Sequence, residues 1–391
     1  MNKWLLAYRL AATRRLSLLL TGDFDPYPKP PDDVALSPSE GHLRAYDHAP
    51  LALSWRRAGG ADPLVWQARA RAKLAELMGY RRPESGPTAR HGQSQAVKGG
   101  LRAEKFYLGV REGVDVPVIV VSDRHSRGPR PVMLCLQGTN SGAHLSWGEA
   151  RMPADPLRLA NGADYARQAV REGYVALCVE QACFGERRER RLRPRSPDPC
   201  IDAANHALLI GRTLLGERVM DLSSVINWLE SERASFGLDM TRVHVLGQSA
   251  GATVALHAAA LDGRIGAVLA SGSVGYIRAT IGRRRDGEGQ NTIPGILDWL
   301  EYDDVVALTA PRPFLTVSGT RDHIFPFSGA ARVVEAARAV YWAMGAERLV
   351  QAVAAEGPHR FYPDVAWPAW RGLLAEGTAK AASRDGAAKG K

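Results

Sequence analysis

Read from its amino end, the chain changes hydrophobic rhythm. Between Asp62-Pro63 and Gly79, apolar residues recur at three- and four-residue intervals: Leu64, Val65, Ala68, Ala72, Leu74, Leu77, Met78. An aspartate cap, a proline at the first helical position and a glycine stop predict a helix there. From about 101 the period shortens. Residues 102–110 and 116–121 read as two strands joined at Glu112-Gly113, and 132–136 is apolar throughout, as a strand buried on both faces is. Strands and helices then alternate. Helices are predicted over 164–171, 217–231, 330–344 and 364–374, and strands over 174–179, 243–247, 265–270, 314–318 and 349–353. That alternation predicts an α/β fold with a mainly parallel sheet and helices on both faces. Residues 21–60 and 81–100 read as turn-rich or polar chain, 181–200 as an arginine-rich loop, and 272–312 as a long excursion of the kind that usually carries function. The expected division is an N-terminal extension with helices and a Pro-rich loop (1–100), a catalytic domain (101–376) and a disordered Ala/Lys/Gly tail (377–391).

The strand near 243–247 ends in Gly247-Gln248-Ser249-Ala250-Gly251, and an Ala-rich helical pattern follows. Strand, sharp turn and helix are the setting of a nucleophile elbow, which defines the α/β-hydrolase fold. A serine hydroxyl is a weak nucleophile at neutral pH and needs a base, which in turn needs orienting. Asp322 falls just after the 314–318 strand and His359 just after the 349–353 strand, so Ser249, Asp322 and His359 come in α/β-hydrolase order. The backbone amides of Ala250 and Thr139 are the expected oxyanion donors, the second from the loop after the 132–136 strand. Gln137 and Asn140 are candidate helpers there. His323 is a rival base, and Asp303 and Asp304 are rival acids, although Asp-Asp-Val-Val reads more simply as a helix cap. His244 and His257 flank the elbow and read as core.

Composition narrows the classes. The formal charge is +10, from 51 basic and 41 acidic residues. With no zinc-finger spacing, RNP-like aromatic motif or long lysine run, nucleic acid is not an expected partner. Four cysteines without a CxxC or His/Cys cluster predict no metal, and Cys183 and Cys200 are the only two placed in loops. The amino-terminal 20 residues carry Lys3, Arg9, Arg14 and Arg15, which break every apolar run. They predict an amphipathic helix (Trp4, Leu5, Tyr8), with neither a secretory signal nor a transmembrane segment, and a cytoplasmic protein.

Gly-Gln-Ser-Ala-Gly (247–251), Ala-Pro-Arg-Pro (310–313), Ser-Gly-Thr-Arg-Asp-His-Ile-Phe-Pro (318–326) and Gly-Pro-His-Arg-Phe-Tyr (357–362) resemble the acetyl-xylan-esterase-like and dienelactone-hydrolase-like branch of the α/β-hydrolases. Phe-Gly-Glu-Arg (184–187) and the run 211–218 are similar to that branch too. The resemblance spans about residues 100–375. It implies a serine esterase with the triad above, no metal or organic cofactor, and a small-molecule or carbohydrate ester, such as an acetyl ester, as substrate. It also marks Glu186 and Arg187 as substrate-binding candidates. The chain has Gln137-Gly138 where the branch often has His-Gly, and a serine where dienelactone hydrolases use cysteine. An oligopeptidase-like peptidase and a non-catalytic binding protein remain the alternatives; the first usually carries a repeat-built propeller, and no repeat precedes the core. Arginines at 187–195 and 283–285 leave two readings: a rim for anionic substrates, or solvated and locally paired loop residues.

Overall fold

Val132, Met133, Leu134, Cys135 and Leu136 are buried on both sides, and around this run the protein builds a sheet of nine strands among the described residues. The computed structural model describes residues 28–97, 99–123, 125, 128–139, 141–189, 200–283 and 289–389, with Ala12 and Leu16. The strands are β1 (Thr88–Val97), β2 (Leu101–Arg111), β3 (Val114–Asp123), β4 (Arg130–Leu136), β5 (Val175–Val179), β6 (Leu238–Gln248), β7 (Ile265–Ser271), β8 (Phe314–Gly319) and β9 (Val350–Ala355), in the order β1-β2-β3-β5-β4-β6-β7-β8-β9. β1, β2, β3 and β5 pair antiparallel in turn, and all pairs from β5–β4 to β8–β9 are parallel. Parallel strands need covering on both faces, which explains why β4, β5 and the distal half of β6 carry almost no polar residue.

The helix Pro63–Met78 forms as its sequence predicts. Asp62 Oδ1 accepts the Leu64 and Val65 amides, and Gly79 closes it at φ 63°. It buries Trp66, Ala70, Leu74 and Met78 in the main core, each worth up to about 1.5–3 kcal/mol for the larger side chains. Gln67 donates to the carbonyls of Ala307 and Ala310. This helix therefore belongs to the catalytic body. Two compact units divide at His48/Ala49, not at residue 100. The first unit contains the helix Pro38–Asp47. β1 falls in the stretch 81–100 that reads from sequence as loop; its side chains are exposed at the sheet edge, so no hydrophobic alternation marks it. The helix Pro363–Lys389 runs on through 377–389, read from sequence as a disordered tail, where alanine supplies strong helix propensity. Trp4, Leu5 and Tyr8 lie outside the described residues. Among those described, no helix is long and apolar enough to cross a membrane.

Candidate active site

Four loops leave the carboxyl ends of β4, β6, β8 and β9 and meet over the sheet, where open parallel sheets bind ligands. Ser249 follows β6 at φ 54°, ψ −124°, a strained conformation for a residue with a side chain. Its neighbours permit it. A Cβ on Gly247 would strike the Gly251 backbone, and one on Gly251 would strike the Leu136 carbonyl. The Ser249 amide donates to the Ser271 carbonyl at 2.7 Å, pinning the turn to β7. Ala250 opens the helix Ala250–Leu261, so its amide is one of the helix's unpaired first-turn donors.

Asp322 and His359 come together. His359 Nδ1 donates to Asp322 Oδ2 at 2.7 Å, while Asp322 Oδ1 accepts the Ile324 and Phe325 amides at 2.9 Å each. Burial alone would raise the Asp322 pKa, but the His359 hydrogen bond and charge, with the two amides, bring it below the usual carboxylate value. With Nδ1–H committed to a carboxylate, Nε2 carries the lone pair, and it accepts from the Gln248 amide at 3.2 Å. Ser249, His359, Gln248, Thr139, Gly138 and Gln137 line one cleft of about 460 Å³. A larger surface hollow of about 800 Å³ lies at the opposite, amino ends of β4 and β6 and holds none of these residues.

The loop after β4 is tied down from three sides. Gln137 donates to Ser146 Oγ and the Ala163 carbonyl, and its own carbonyl accepts from Gln181. Glu180, buried just past β5, accepts the Ala143 amide at 3.0 Å and the Glu186 amide at 3.3 Å; burial pushes its pKa up to about 7. Thr139 Oγ1 accepts from Gln290 Nε2 at 3.0 Å, and Gln290 Oε1 accepts from Arg218 at 2.9 Å. Arg218 in turn stacks 4.4 Å over Phe184 and donates to the Ala182 carbonyl. Sequence reasoning missed Gln290 and Arg218. The signal was present in two halves, the family-like run 211–218 and the long excursion 272–312.

Other candidates fall elsewhere. Glu186 pairs with Lys105 at 2.6 Å and Arg151 at 3.5 Å, and Arg187 with Asp221 at 2.8 Å; neither lines the cleft. Their charges are taken up by local ion pairs. Asn140, Arg190, Arg191, Arg193, Arg195, Arg284 and Arg285 lie outside the described residues. Glu301 caps the helix Tyr302–Ala307, Asp304 completes the capping box by accepting the Glu301 amide, and Asp303 pairs with Arg56. His244 bonds the Tyr174 hydroxyl and His257 the Thr253 carbonyl; burial pushes both down to about 4. All four cysteines are buried thiols. Among the described residues no group of three or more His, Cys, Asp or Glu is placed to hold a metal ion.

An elbow serine beside a histidine–aspartate pair, over a parallel sheet, defines an α/β-hydrolase-type site. Residues 54–343, well over half the chain, match the sequence profile of the Abhydrolase family, and the chain belongs to that family. It is 24% identical over 304 residues to YtaP of Bacillus subtilis (strain 168), whose name classes it as a hydrolase; the match covers 75% of this chain and 94% of that one. The structure is similar to a Bacteroides fragilis NCTC 9343 protein named as an acetyl xylan esterase, with TM-score 0.66 and 20% identity over 84% of each chain. It is similar also to a glucuronoyl esterase from Solibacter usitatus, with TM-score 0.59 and 16% identity over 83% of this chain and 96% of that one. At these identities the structural likeness speaks for the fold.

Proposed function

We propose that the protein is a serine hydrolase of carboxylic esters, acting through Ser249, His359 and Asp322 and an acyl-enzyme. The observation that carries this reading is the 2.7 Å His359–Asp322 bond in the cleft that also holds Ser249 on its strained elbow. Asp322 keeps Nδ1 protonated, so Nε2 is the basic nitrogen. The Gln248 amide occupies that nitrogen in the free protein and gives way to the Ser249 hydroxyl when substrate enters. Ser249 Oγ attacks the ester carbonyl, passing its proton to His359. The Ala250 and Thr139 amides receive the developing oxyanion, and the Gln290–Arg218 tether holds the Thr139 loop in place for it. His359 then protonates the leaving alcohol. Water, activated by the same nitrogen, releases the acid and restores Ser249.

Carbohydrate esters are the first substrates to try, because the similar structures named above are esterases of that kind. The test is a panel of 4-nitrophenyl esters, sugar acetates and peptide anilides, with fluorophosphonate labelling. Esters are expected to turn over and the label to sit on Ser249; Ser249→Ala should abolish both with the melting temperature kept. Turnover of anilides in preference to esters would overturn the esterase reading in favour of a peptidase. No label and no turnover would favour a binding protein.

A further inference from the structure

The cleft carries charge of one sign. Among the residues lining it are two arginines, Arg158 and Arg360, and no aspartate or glutamate. Arg360 directly follows His359, so its Cα lies about 3.8 Å from that of the base. Its guanidinium lies over the Tyr362 ring, 4.2 Å from the centroid, and the Tyr362 hydroxyl is itself anchored on the Pro358 carbonyl. Among the described residues Arg360 makes no ion pair. Of the two acids four residues away, Glu356 is taken by Arg321 at 3.3 Å and by Thr320 Oγ1 at 2.8 Å, and Asp364 sits in the first turn of the helix Pro363–Lys389. Arg158 is partly neutralised by Asp155 at 3.4 Å, but Asp155 is wholly buried and also accepts from His144 and from the Arg151 and Met152 amides.

A guanidinium stacked on an aromatic face leaves its in-plane N–H edge open, and that planar fork matches the two oxygens of a carboxylate. Held in a cleft one residue from the base, Arg360 has the Tyr362 side chain beside it but, among the described residues, no carboxylate to balance its charge. We propose that Arg360, with Arg158 adding to the field, determines specificity by binding a carboxylate carried by the ester substrate. The preferred substrates are then acidic esters: half-esters of dicarboxylic acids, or esters of hydroxy acids. This deepens the reading above and rests on it for the position of the reacting bond.

The test pairs acidic esters with neutral isosteres. Phenyl hydrogen succinate against phenyl succinamate places the carboxylate on the acyl side; 4-acetoxybenzoate against 4-acetoxybenzamide places it on the leaving side. Each ratio of kcat/KM is corrected for alkaline hydrolysis. One acidic member should be favoured about tenfold at low salt, as a charge-assisted pair provides, and less at high salt. Arg360→Gln should bring the ratio towards one, and Arg360→Lys should keep part of it, charge without the fork. A ratio near one for both pairs in the unaltered protein, or a preference that Arg360→Gln leaves in place, overturns the proposal while the esterase reading stands. If no ester turns over and Ser249 resists labelling, the esterase reading fails, and calorimetry with succinate and 4-hydroxybenzoate decides the anion site by itself. Binding weakened about tenfold by Arg360→Gln and by salt supports it; absence of binding overturns it.

Discussion

Replacing Asp322 by asparagine separates what this carboxylate does for the fold from what it does for His359. One oxygen accepts two backbone amides, of Ile324 and Phe325, and the other accepts His359 Nδ1–H. Asparagine has one acceptor oxygen and one NH₂ group, so one set of partners must face the wrong group. Turning the NH₂ towards the two amides would leave two buried donors unsatisfied, at about 1–3 kcal/mol each. Turning it towards His359 costs one bond and is answered by moving the imidazole proton to Nε2. The second arrangement wins by roughly the cost of one to two hydrogen bonds. Nε2 then donates and no longer serves as base. With a penalty of about 2–6 kcal/mol for restoring the right tautomer, kcat should fall by about 10²–10⁴-fold, the upper end matching serine-protease triads. Loss of the charge-assisted part of one bond should lower stability by only about 1 kcal/mol, a few degrees at most in melting temperature. Asp322→Ala, by contrast, strands both amides and should cost several times more. The assay is kcat on 4-nitrophenyl acetate beside thermal melting for both variants. An Asp322→Asn protein within tenfold of the parent, with unchanged melting, would refute the argument. If Asp304→Asn abolished turnover instead, the acid would be Asp304.

Two further outcomes are expected. Gln290→Leu cuts the tether between Thr139 and Arg218; kcat should drop about tenfold, a fraction of what a lost oxyanion donor costs, with KM little changed, and Thr139→Val should match it. A lower melting temperature with unaltered kcat would show the tether to be purely structural. His257 is pushed down from 6.5 to about 4 by burial, the Thr253 carbonyl opposing, so the folded state binds fewer protons than the unfolded one. Its contribution is fully present above about pH 6.5 and is lost as pH falls towards 4, so His257→Leu should flatten the loss of stability on acidification over that window. Parallel melting curves for both proteins from pH 7 to 4 would contradict this.

The sequence disclosed the parts of the molecule whose physics is local. Residues 132–136 announce a doubly buried strand by having no polar residue, and Asp62-Pro63 with Gly79 mark both ends of a helix. Gly247 and Gly251 flank Ser249 because only a missing Cβ lets the turn close on the Leu136 carbonyl. Each rule acts within a few residues, so a reader of the sequence can apply it. β1 escaped because its exposed side chains leave no alternation, and its pairing partner, not its own composition, makes it a strand. Residues 49–97 fall within the extension expected over 1–100 for a related reason. The helix Pro63–Met78 shows an apolar stripe, but the stripe does not say what covers it.

The cleft differs in kind. Arg158 and Arg360 stand about two hundred residues apart, and each looks ordinary in a chain with 51 basic residues. The dense arginine runs drew notice as a possible anion rim, yet Arg187, the one such residue described in an ion pair beside the site, is spent on Asp221. What distinguishes Arg360 is the company it lacks: among the described residues it makes no ion pair, Glu356 being claimed by Arg321 and Thr320, and its guanidinium rests on a ring. Charge in a site is a balance over everything that reaches it. The balance is set by which acids the fold has already paired, so density of arginine along the chain carries little information about it. The same reasoning separates Glu186 from the site although its motif pointed there, since Lys105 and Arg151 arrive from other loops to claim it. A charged side chain is free to act on a ligand only after the fold's own ion pairs are assigned, and in the cleft beside Ser249 that leaves Arg360.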